Sequence, residues 1–153
     1  MAEERRYYRK PGRDKIDNIL IDVQRKLRDS YESVALSDLN AFERKRIHRF
    51  FDDKEDFTTK TYRTGDEFTL RIYPVGNLKK FAESKAQEAF DTGKVVALPP
   101  MSNFERYVIH DHLQSMEGIE TTSVGESSER HIEIHPVRFG RGLRRIIKKI
   151  KLL

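Results

Sequence analysis

Two short segments of this chain place an arginine and a histidine four residues apart, a pair whose chemistry suits the binding of phosphate groups. Phe42–His48 reads FERKRIH and Phe104–His110 reads FERYVIH, so five of seven residues are identical. Residues four apart lie one above the other on a helix, so each segment would present a guanidinium beside an imidazole. Arginine offers a planar fork of donors that matches phosphate oxygens, and histidine can donate one more hydrogen bond. The two pairs are Arg44 with His48 and Arg106 with His110.

The similarity extends upstream of the pairs and predicts one unit written twice. Val34-Ala35-Leu36 and Val96-Ala97-Leu98 match at the same offset of 62 residues. Self-similarity at a fixed period is the signature of repeated structural units. The sequence therefore predicts two copies, with one pair in each.

Hydrophobic periodicity predicts the elements that position each pair. Apolar residues at helical spacing predict a helix over 14–30 and another over 77–91. Each is followed by the Val-Ala-Leu strand and then by the helix that carries the pair. The predicted pair helices cover 40–53 and 102–116, and the strands that follow them cover 60–64 and 67–73 in the first copy, and 120–124 and 130–135 in the second.

Each copy thus reads helix, strand, helix, strand, strand, which predicts an α+β fold with two helices packed on one face of a small three-stranded sheet. Asn40 and Ser102 precede the pair helices, and Glu43 and Glu105 follow three residues later, which predicts a capping box in each copy. The predicted organisation is a basic N-terminal extension at 1–13, a first copy at 14–75, a second copy at 76–137 and a basic amphipathic tail at 138–153.

The charge of this chain is unevenly distributed. The net charge is +5, yet residues 138–153 carry seven Lys or Arg and no acid, and residues 1–13 carry five bases against two acids. Residues 14–137 are mildly acidic, with 18 bases and 23 acids. Any binding site on the folded part must therefore come from local clusters of basic side chains.

Composition also narrows the class of protein. The chain has no cysteine, so it has no disulfide framework and no thiolate metal site or nucleophile. Its first residues are polar, and no stretch approaches the roughly 20 apolar residues of a membrane-spanning helix. These features predict a cytoplasmic protein.

The second copy resembles a known family. Residues 98–110 read LPPMSNFERYVIH, and TTSVGE and a basic-apolar strand follow. This pattern resembles the R-three-H domain, a single-stranded nucleic-acid-binding module named for its Arg-x-x-x-His. It is similar to the final domain of the bacterial Jag (SpoIIIJ-associated) family, which has an apolar-Pro-Met lead-in, Glu-Arg before the motif and a Ser-x-Gly-Glu turn after it.

In this sequence those features are Leu98-Pro99-Pro100-Met101, Glu105-Arg106, His110 and Ser123-Val124-Gly125-Glu126. The resemblance covers residues 76–137 well and residues 14–75 more loosely, because the turn of the first copy reads Arg63-Thr64-Gly65-Asp66. The Jag and KH domains typical of the family are not visible in this sequence, which resembles a reduced, tandem relative.

The resemblance implies that the motif residues face single-stranded nucleic acid. The residues that we expect to bind it are Arg44, Lys45, His48, Arg49 and Arg63 in the first copy, and Arg106, His110, Ser123, Gly125 and Arg130 in the second. With Lys45, Arg46 and Arg49 around its pair, the first copy would supply more electrostatic attraction. Tyr62 and Tyr107 could stack on unpaired bases, although half-buried packing is the commoner role of such rings.

Other chemistries have weaker support. His131, Glu133 and His135 would share one strand face without the spacing of a zinc motif, so we expect no metal and no cofactor. A Walker A loop and a Gly-x-Ser-x-Gly elbow are both missing, so we expect no enzyme.

We therefore expect a non-catalytic protein that binds single-stranded RNA or DNA, with RNA favoured by the resemblance. The alternative is an adaptor whose basic tail, residues 138–153, docks on a membrane surface, a ribosome or a protein partner.

Overall fold

The computed structural model describes residues 14–137 of the chain. The chain divides into two compact units, Met1–Pro74 and Val75–Leu153, here called unit 1 and unit 2. The predicted N-terminal extension and C-terminal tail lie outside the described residues. No helix within 14–137 has the length and apolar character needed to cross a bilayer.

Unit 1 consists of two helices and three strands. In chain order they are α1 (Lys15–Leu27), β1 (Val34–Leu36), α2 (Ala41–Asp52), β2 (Thr58–Thr64) and β3 (Glu67–Tyr73). The strands form an antiparallel sheet in the order β1-β3-β2, with β3 in the centre.

Unit 2 follows the same order of elements. They are α3 (Val75–Thr92), β4 (Val96–Ala97), α4 (Asn103–Leu113), β5 (Ile119–Val124) and β6 (His131–Pro136), with a short 3-10 turn, Ser127–Glu129, before β6. Its antiparallel sheet has the order β4-β6-β5. The α+β prediction is confirmed: residues 14–137 form four α-helices and two three-stranded antiparallel sheets.

The core of unit 1 lies between the two helices and one face of the sheet. Leu70 and Ile72 alternate along the central strand β3 and are 1% and 0% exposed, so they lie on the same buried face. They form one apolar cluster with the buried residues of the helices, including Ile16, Val23 and Leu27 of α1 and Ile47 and Phe51 of α2. Both helices therefore pack on the face that carries Leu70 and Ile72.

Small residues form much of the buried side of α3 in unit 2. Ala82, Ala86 and Ala89 of α3 recur at helical spacing and are fully buried, and α3 contacts α4. Ile109 of α4 is also fully buried, as is Ile134 of β6. This burial fixes how α4 is rotated, and so determines which of its residues face solvent.

Both predicted capping boxes are present. The Asn40 side chain accepts a hydrogen bond from the backbone N–H of Glu43, and the Glu43 side chain accepts one from the backbone N–H of Asn40, at 2.9 Å each. Ser102 and Glu105 make the equivalent exchange at the start of α4. These bonds satisfy backbone donors that the first helical turn leaves without partners.

The predicted and observed boundaries differ mainly at the ends of elements. The helix predicted over 14–30 ends at Leu27, and the one predicted over 102–116 ends at Leu113. The strand Val-Ala-Leu is complete in unit 1 but contains only Val96–Ala97 in unit 2. Leu98 still donates its backbone N–H to the carbonyl of Ile132 at 2.8 Å, so the pairing persists beyond the assigned strand.

Candidate nucleic-acid interface

Helix α2 holds Arg44 and His48 at the border of the core. Ile47 and Phe51 are 0% and 1% exposed, so this side of the helix faces the sheet. Arg44 is half-buried and His48 is exposed. Helix α4 places Arg106 and His110 in the same way, with Ile109 and Leu113 buried. Both pairs therefore lie where packing fixes the helix while solvent can reach the side chains.

Each motif arginine is anchored to the backbone just before its helix. Arg44 donates from Nη1 to the carbonyl oxygen of Leu39 at 2.5 Å, and Arg106 donates from Nη1 to the carbonyl oxygen of Met101 at 2.6 Å. Arg106 also donates from Nη2 to Oδ1 of Asn103 at 3.3 Å. Within residues 14–137 neither guanidinium forms an ion pair with a carboxylate. A guanidinium has five N–H donors, so each keeps donors and an uncompensated charge for an anion.

Each motif histidine is oriented by a threonine from the neighbouring strand. Nδ1 of His48 shares a hydrogen bond with the hydroxyl of Thr59, and Nδ1 of His110 shares one with the hydroxyl of Thr121, at 2.5 Å. This contact leaves Nε2 as the nitrogen that can meet a ligand. In unit 1 that atom lies 3.9 Å from Oδ1 of Asp52, whereas unit 2 has Gln114 at the equivalent helix position.

A second cation joins the pair in unit 1. The Arg44 guanidinium carbon lies 4.4 Å from the centre of the Phe68 ring, and that of Arg63 lies 5.5 Å from the same centre. Arg63 and Phe68 are direct cross-strand partners. Arg63 also donates to the carbonyl of Gly65 and lies 3.7 Å from a carboxylate oxygen of the exposed Asp66. Phe68 thus brings together two guanidiniums that would otherwise repel each other.

In unit 2, Arg130 is connected through its backbone to the segment that anchors Arg106. Arg130 donates from Nε to the hydroxyl of Ser123 at 3.0 Å. Its carbonyl accepts the backbone N–H of Met101 at 3.1 Å, and Met101 is the residue whose carbonyl anchors Arg106. These contacts link Arg106, Ser123 and Arg130, which are among the expected binding residues, and their role in binding stays a prediction.

Gly125 has a conformational role in the same turn. Its φ is +92°, and a Cβ there would lie 2.9 Å from the carbonyl oxygen of Glu129 and 3.3 Å from Cα of Arg130. A side chain at this position would push the turn apart. Gly125 therefore lets the turn close and place Arg130 beside Ser123.

Two of the three other basic residues predicted around Arg44 and His48 face solvent. Lys45 and Arg49 are exposed, and neither has a side-chain partner within residues 14–137. Arg46 departs from the prediction: it pairs with Asp14 and lies 3.6 Å from Asp17, at the start of α1. The reason is its place on α2, two residues from Arg44, which turns it toward the neighbouring helix.

The two candidate stacking tyrosines differ in their surroundings. Tyr62 is 42% exposed, and its hydroxyl bonds that of Tyr73 at 2.7 Å. Because neighbours on a strand alternate between faces, Tyr62 lies on the face opposite Thr59, away from the motif pair. Tyr107 is 63% exposed beside the pair of unit 2, so it does not pack in the core.

The histidines outside the motif have protein partners. Nε2 of His112 lies 2.5 Å from a Glu83 carboxylate oxygen, and Glu133 lies between His131 and His135, at 3.9 and 3.2 Å. Among residues 14–137, no cluster of three or more His, Cys, Asp or Glu could hold a metal ion.

Sequence reasoning missed the threonines and Phe68. Thr59 and Thr121 lie at the 62-residue offset of the repeat, and each follows its histidine by 11 residues. That shared spacing was the signal that could have identified them. Phe68 carried no such signal, because unit 2 has Arg130 at the same offset.

Comparison with known proteins agrees with this description of unit 2. The family model of the R-three-H domain matches residues 76–136. The RNA-binding protein KhpB of Lactiplantibacillus plantarum is 42% identical over 57 residues, which are 37% of this chain and 18% of that relative. The R-three-H resemblance is thereby confirmed for residues 76–136. A second copy in residues 14–75 and the likeness to the Jag family stay predictions.

Proposed function

We propose that this protein binds single-stranded RNA without catalysis, and that each unit holds a backbone phosphate with its Arg-x-x-x-His pair. One observation carries the proposal: in both units, an arginine anchored to a backbone carbonyl keeps unused N–H donors, and a histidine anchored to a threonine through Nδ1 leaves Nε2 for a ligand. Guanidinium donors held in place without an ion-pair partner within residues 14–137 suit a phosphate, which is anionic and accepts several hydrogen bonds. Of the two motif histidines, His48 has a carboxylate at 3.9 Å, that of Asp52.

The comparisons favour RNA as the ligand. The domain match covers the second pair, and the similar relative is named an RNA-binding protein. We further propose that residues 14–75 are a divergent second R-three-H domain. The support is the common order of elements and strands, and the common partners of Arg44 and Arg106 and of His48 and His110.

Each pair has a second cation, supplied differently. Arg63 approaches Arg44 over the Phe68 ring, and Arg130 is held by Ser123 beside the segment that anchors Arg106. Lys45 and Arg49 extend the positive surface of α2 along the helix. A surface of this kind contacts the sugar-phosphate backbone, so binding should be sensitive to salt and tolerant of sequence.

The test is fluorescence anisotropy with the full chain and a labelled, unstructured RNA across a range of salt concentrations. Arg44→Ala and Arg106→Ala should each weaken binding about 10-fold and reduce the salt dependence by about one ion. Arg25→Ala is the matched control, since Arg25 pairs with Asp22 on α1 and is far from both pairs in sequence. Its loss of the same charge should leave affinity almost unchanged.

Removing residues 138–153 separates this proposal from the alternative of docking through the basic tail. The truncated chain should bind RNA more weakly but measurably, because seven positive charges are lost while both pairs remain. If truncation abolishes binding and the double Arg44→Ala, Arg106→Ala variant binds like the unaltered chain, the tail is the binding element and the proposal is wrong.

A further inference from the structure

We propose that unit 2 selects unpaired nucleotides by stacking one base on Tyr107, while unit 1 has Lys45 at the equivalent position and contacts only phosphates. This inference rests on the proposed function. It adds an origin for single-strand selectivity, which phosphate contacts alone do not provide, because duplexes and single strands both present phosphates.

The position of Tyr107 is the first support. It follows Arg106 directly and precedes His110 by one helical turn, so it lies about 60° from His110 around α4 at about 100° per residue. Residues three apart on a helix are neighbours on its surface. A base attached to a phosphate bound by Arg106 and His110 would therefore lie within reach of the Tyr107 ring.

The exposure of Tyr107 is the second support. Its side chain is 63% exposed and makes no hydrogen bond or aromatic contact within residues 14–137. Single exposed apolar residues are common on protein surfaces. Tyr107 differs from them because it lies beside Arg106 and His110, the pair proposed to bind a phosphate. The helix below it is held by Ile109 and Leu113, which are 0% and 1% exposed. A stiff ring on an anchored helix gives a base a preformed stacking surface at a small entropic cost.

The charge around the pair of unit 2 is the third support. Residues 75–137, without the basic tail, contain six Lys or Arg against ten Asp or Glu, a net charge of −4. Long-range attraction of a polyanion to residues 75–137 is therefore weak, and affinity beyond that supplied by the tail must come from contacts at the site. Stacking one base on an aromatic side chain typically changes affinity about 5- to 150-fold, and every base can do so.

Unit 1 has a different chemistry at the same position. Lys45 is exposed without a partner within 14–137, and Arg49 stands one turn further along α2. Both suit phosphates. The exposed aromatic residue on helix α2 is Phe42, at 71%, but it lies about 160° around the helix from Arg44. A base on Phe42 would be across α2 from the motif pair.

The experiment compares affinity for an unstructured RNA and for an RNA duplex with the same number of phosphates. Tyr107→Ala should weaken single-strand binding about 10-fold while duplex binding changes less than about twofold. Tyr107→Phe should retain single-strand affinity, because the ring remains. Lys45→Ala should weaken the binding of both RNAs alike and lower the salt dependence of that binding. Phe42→Ala removes another exposed ring, one that lies away from the pair, and should leave the ratio of single-strand to duplex affinity unchanged.

A second measurement reports stacking directly. An RNA that carries 2-aminopurine should show a fluorescence change on binding that Tyr107→Ala removes and Phe42→Ala keeps. The inference is overturned if Tyr107→Ala weakens the binding of both RNAs alike or changes neither affinity. It is also overturned if Phe42→Ala, rather than Tyr107→Ala, lowers the selectivity for single-stranded over duplex RNA. These results differ from failure of the proposed function, in which Arg44→Ala and Arg106→Ala would leave affinity unchanged. Alanine is a strong helix former, so Tyr107→Ala should keep α4 folded.

Discussion

Nδ1 of His110 lies 2.5 Å from the hydroxyl oxygen of Thr121, and His48 makes the same contact with Thr59. In both units the imidazole belongs to a helix, but its orientation is set by a strand. A ring held at one nitrogen presents the other in a defined direction, which reduces the conformational freedom lost when a phosphate binds.

The first prediction concerns this contact. Thr121→Val keeps the shape of the side chain but removes the hydroxyl, so the His110 ring should lose its fixed orientation. We expect binding of unstructured RNA to weaken about threefold, consistent with the modest net value of one hydrogen bond. Anisotropy titration measures the change, and a shift of the His110 ring resonances in NMR would show its cause.

Thr122→Val is the matched control, because Thr122 is the next residue, faces the other side of the sheet and contacts His135 instead. Equal weakening by both valine variants would show that the hydroxyl of Thr121 does not act through His110.

The second prediction concerns the turn that places Arg130. Gly125→Ala should lower the free energy of unfolding by about 2–3 kcal/mol, because positive φ and contact with rigid backbone atoms both oppose a Cβ. Gly93→Ala should cost only about 1 kcal/mol, because Gly93 also has positive φ (+68°) but nothing lies within 4 Å of its Cβ position. Urea unfolding measures both, and equal losses would contradict a steric role for the turn.

The third prediction concerns the capping boxes. Asn40→Ala and Ser102→Ala should each lower the free energy of unfolding by about 0.5–2 kcal/mol, because each leaves backbone donors of the first helical turn without a partner. Ser84→Ala in the middle of α3 removes a hydroxyl from an exposed helical position and should be neutral or slightly stabilising. A loss at Ser84 as large as that at Ser102 would argue against the caps.

The fourth prediction concerns pH. The backbone N–H of Asn40, and after it the Lys15 ammonium, hold the pKa of Glu43 below its ordinary value. A carboxyl whose pKa is lowered by folding stabilises the fold fully above its unfolded pKa, about 4.3, and loses that contribution as the pH falls through the lowered value. Lys15→Met should therefore raise the pKa of Glu43 in a carboxyl NMR titration.

Lys26→Met is the control for Lys15→Met, because it removes the same positive charge at a different ion pair. Lys26 lowers the pKa of Asp22 through a side-chain hydrogen bond, with a further contribution from Arg25. Lys26→Met should raise the pKa of Asp22 and leave that of Glu43 where it is. A rise of both in either variant would show a diffuse electrostatic effect rather than two local contacts.

Much of the fold could be predicted from local patterns. The helices follow apolar residues at a spacing of three and four, and the caps follow residue types at fixed positions, so both are determined by interactions within one turn of helix. The ends of α1 and α4 were misjudged by three residues, since propensity changes little across a helix end. The 3-10 turn at Ser127–Glu129 had no clear signal in the sequence.

Part of the candidate site could also be predicted, because that part depends only on spacing within one helix. Arg44 and His48 could be placed together because one helix carries both. The partner of Arg46 on α1, the Phe68 ring beneath Arg44 and Arg63, and the link from Arg106 through Met101 to Arg130 all join separate elements. Such contacts depend on how helices are rotated and how strands are paired.

By itself, the sequence determined that an arginine and a histidine recur together, each pair on a capped helix in an α+β setting, because helical spacing and capping are local. Only the tertiary structure decided that a threonine from the next strand would orient each imidazole, that Arg46 would turn away, and that Tyr107 would stay in solvent. The physical reason is that strand register and helix rotation are set by burial of the whole core, and no short segment contains that information.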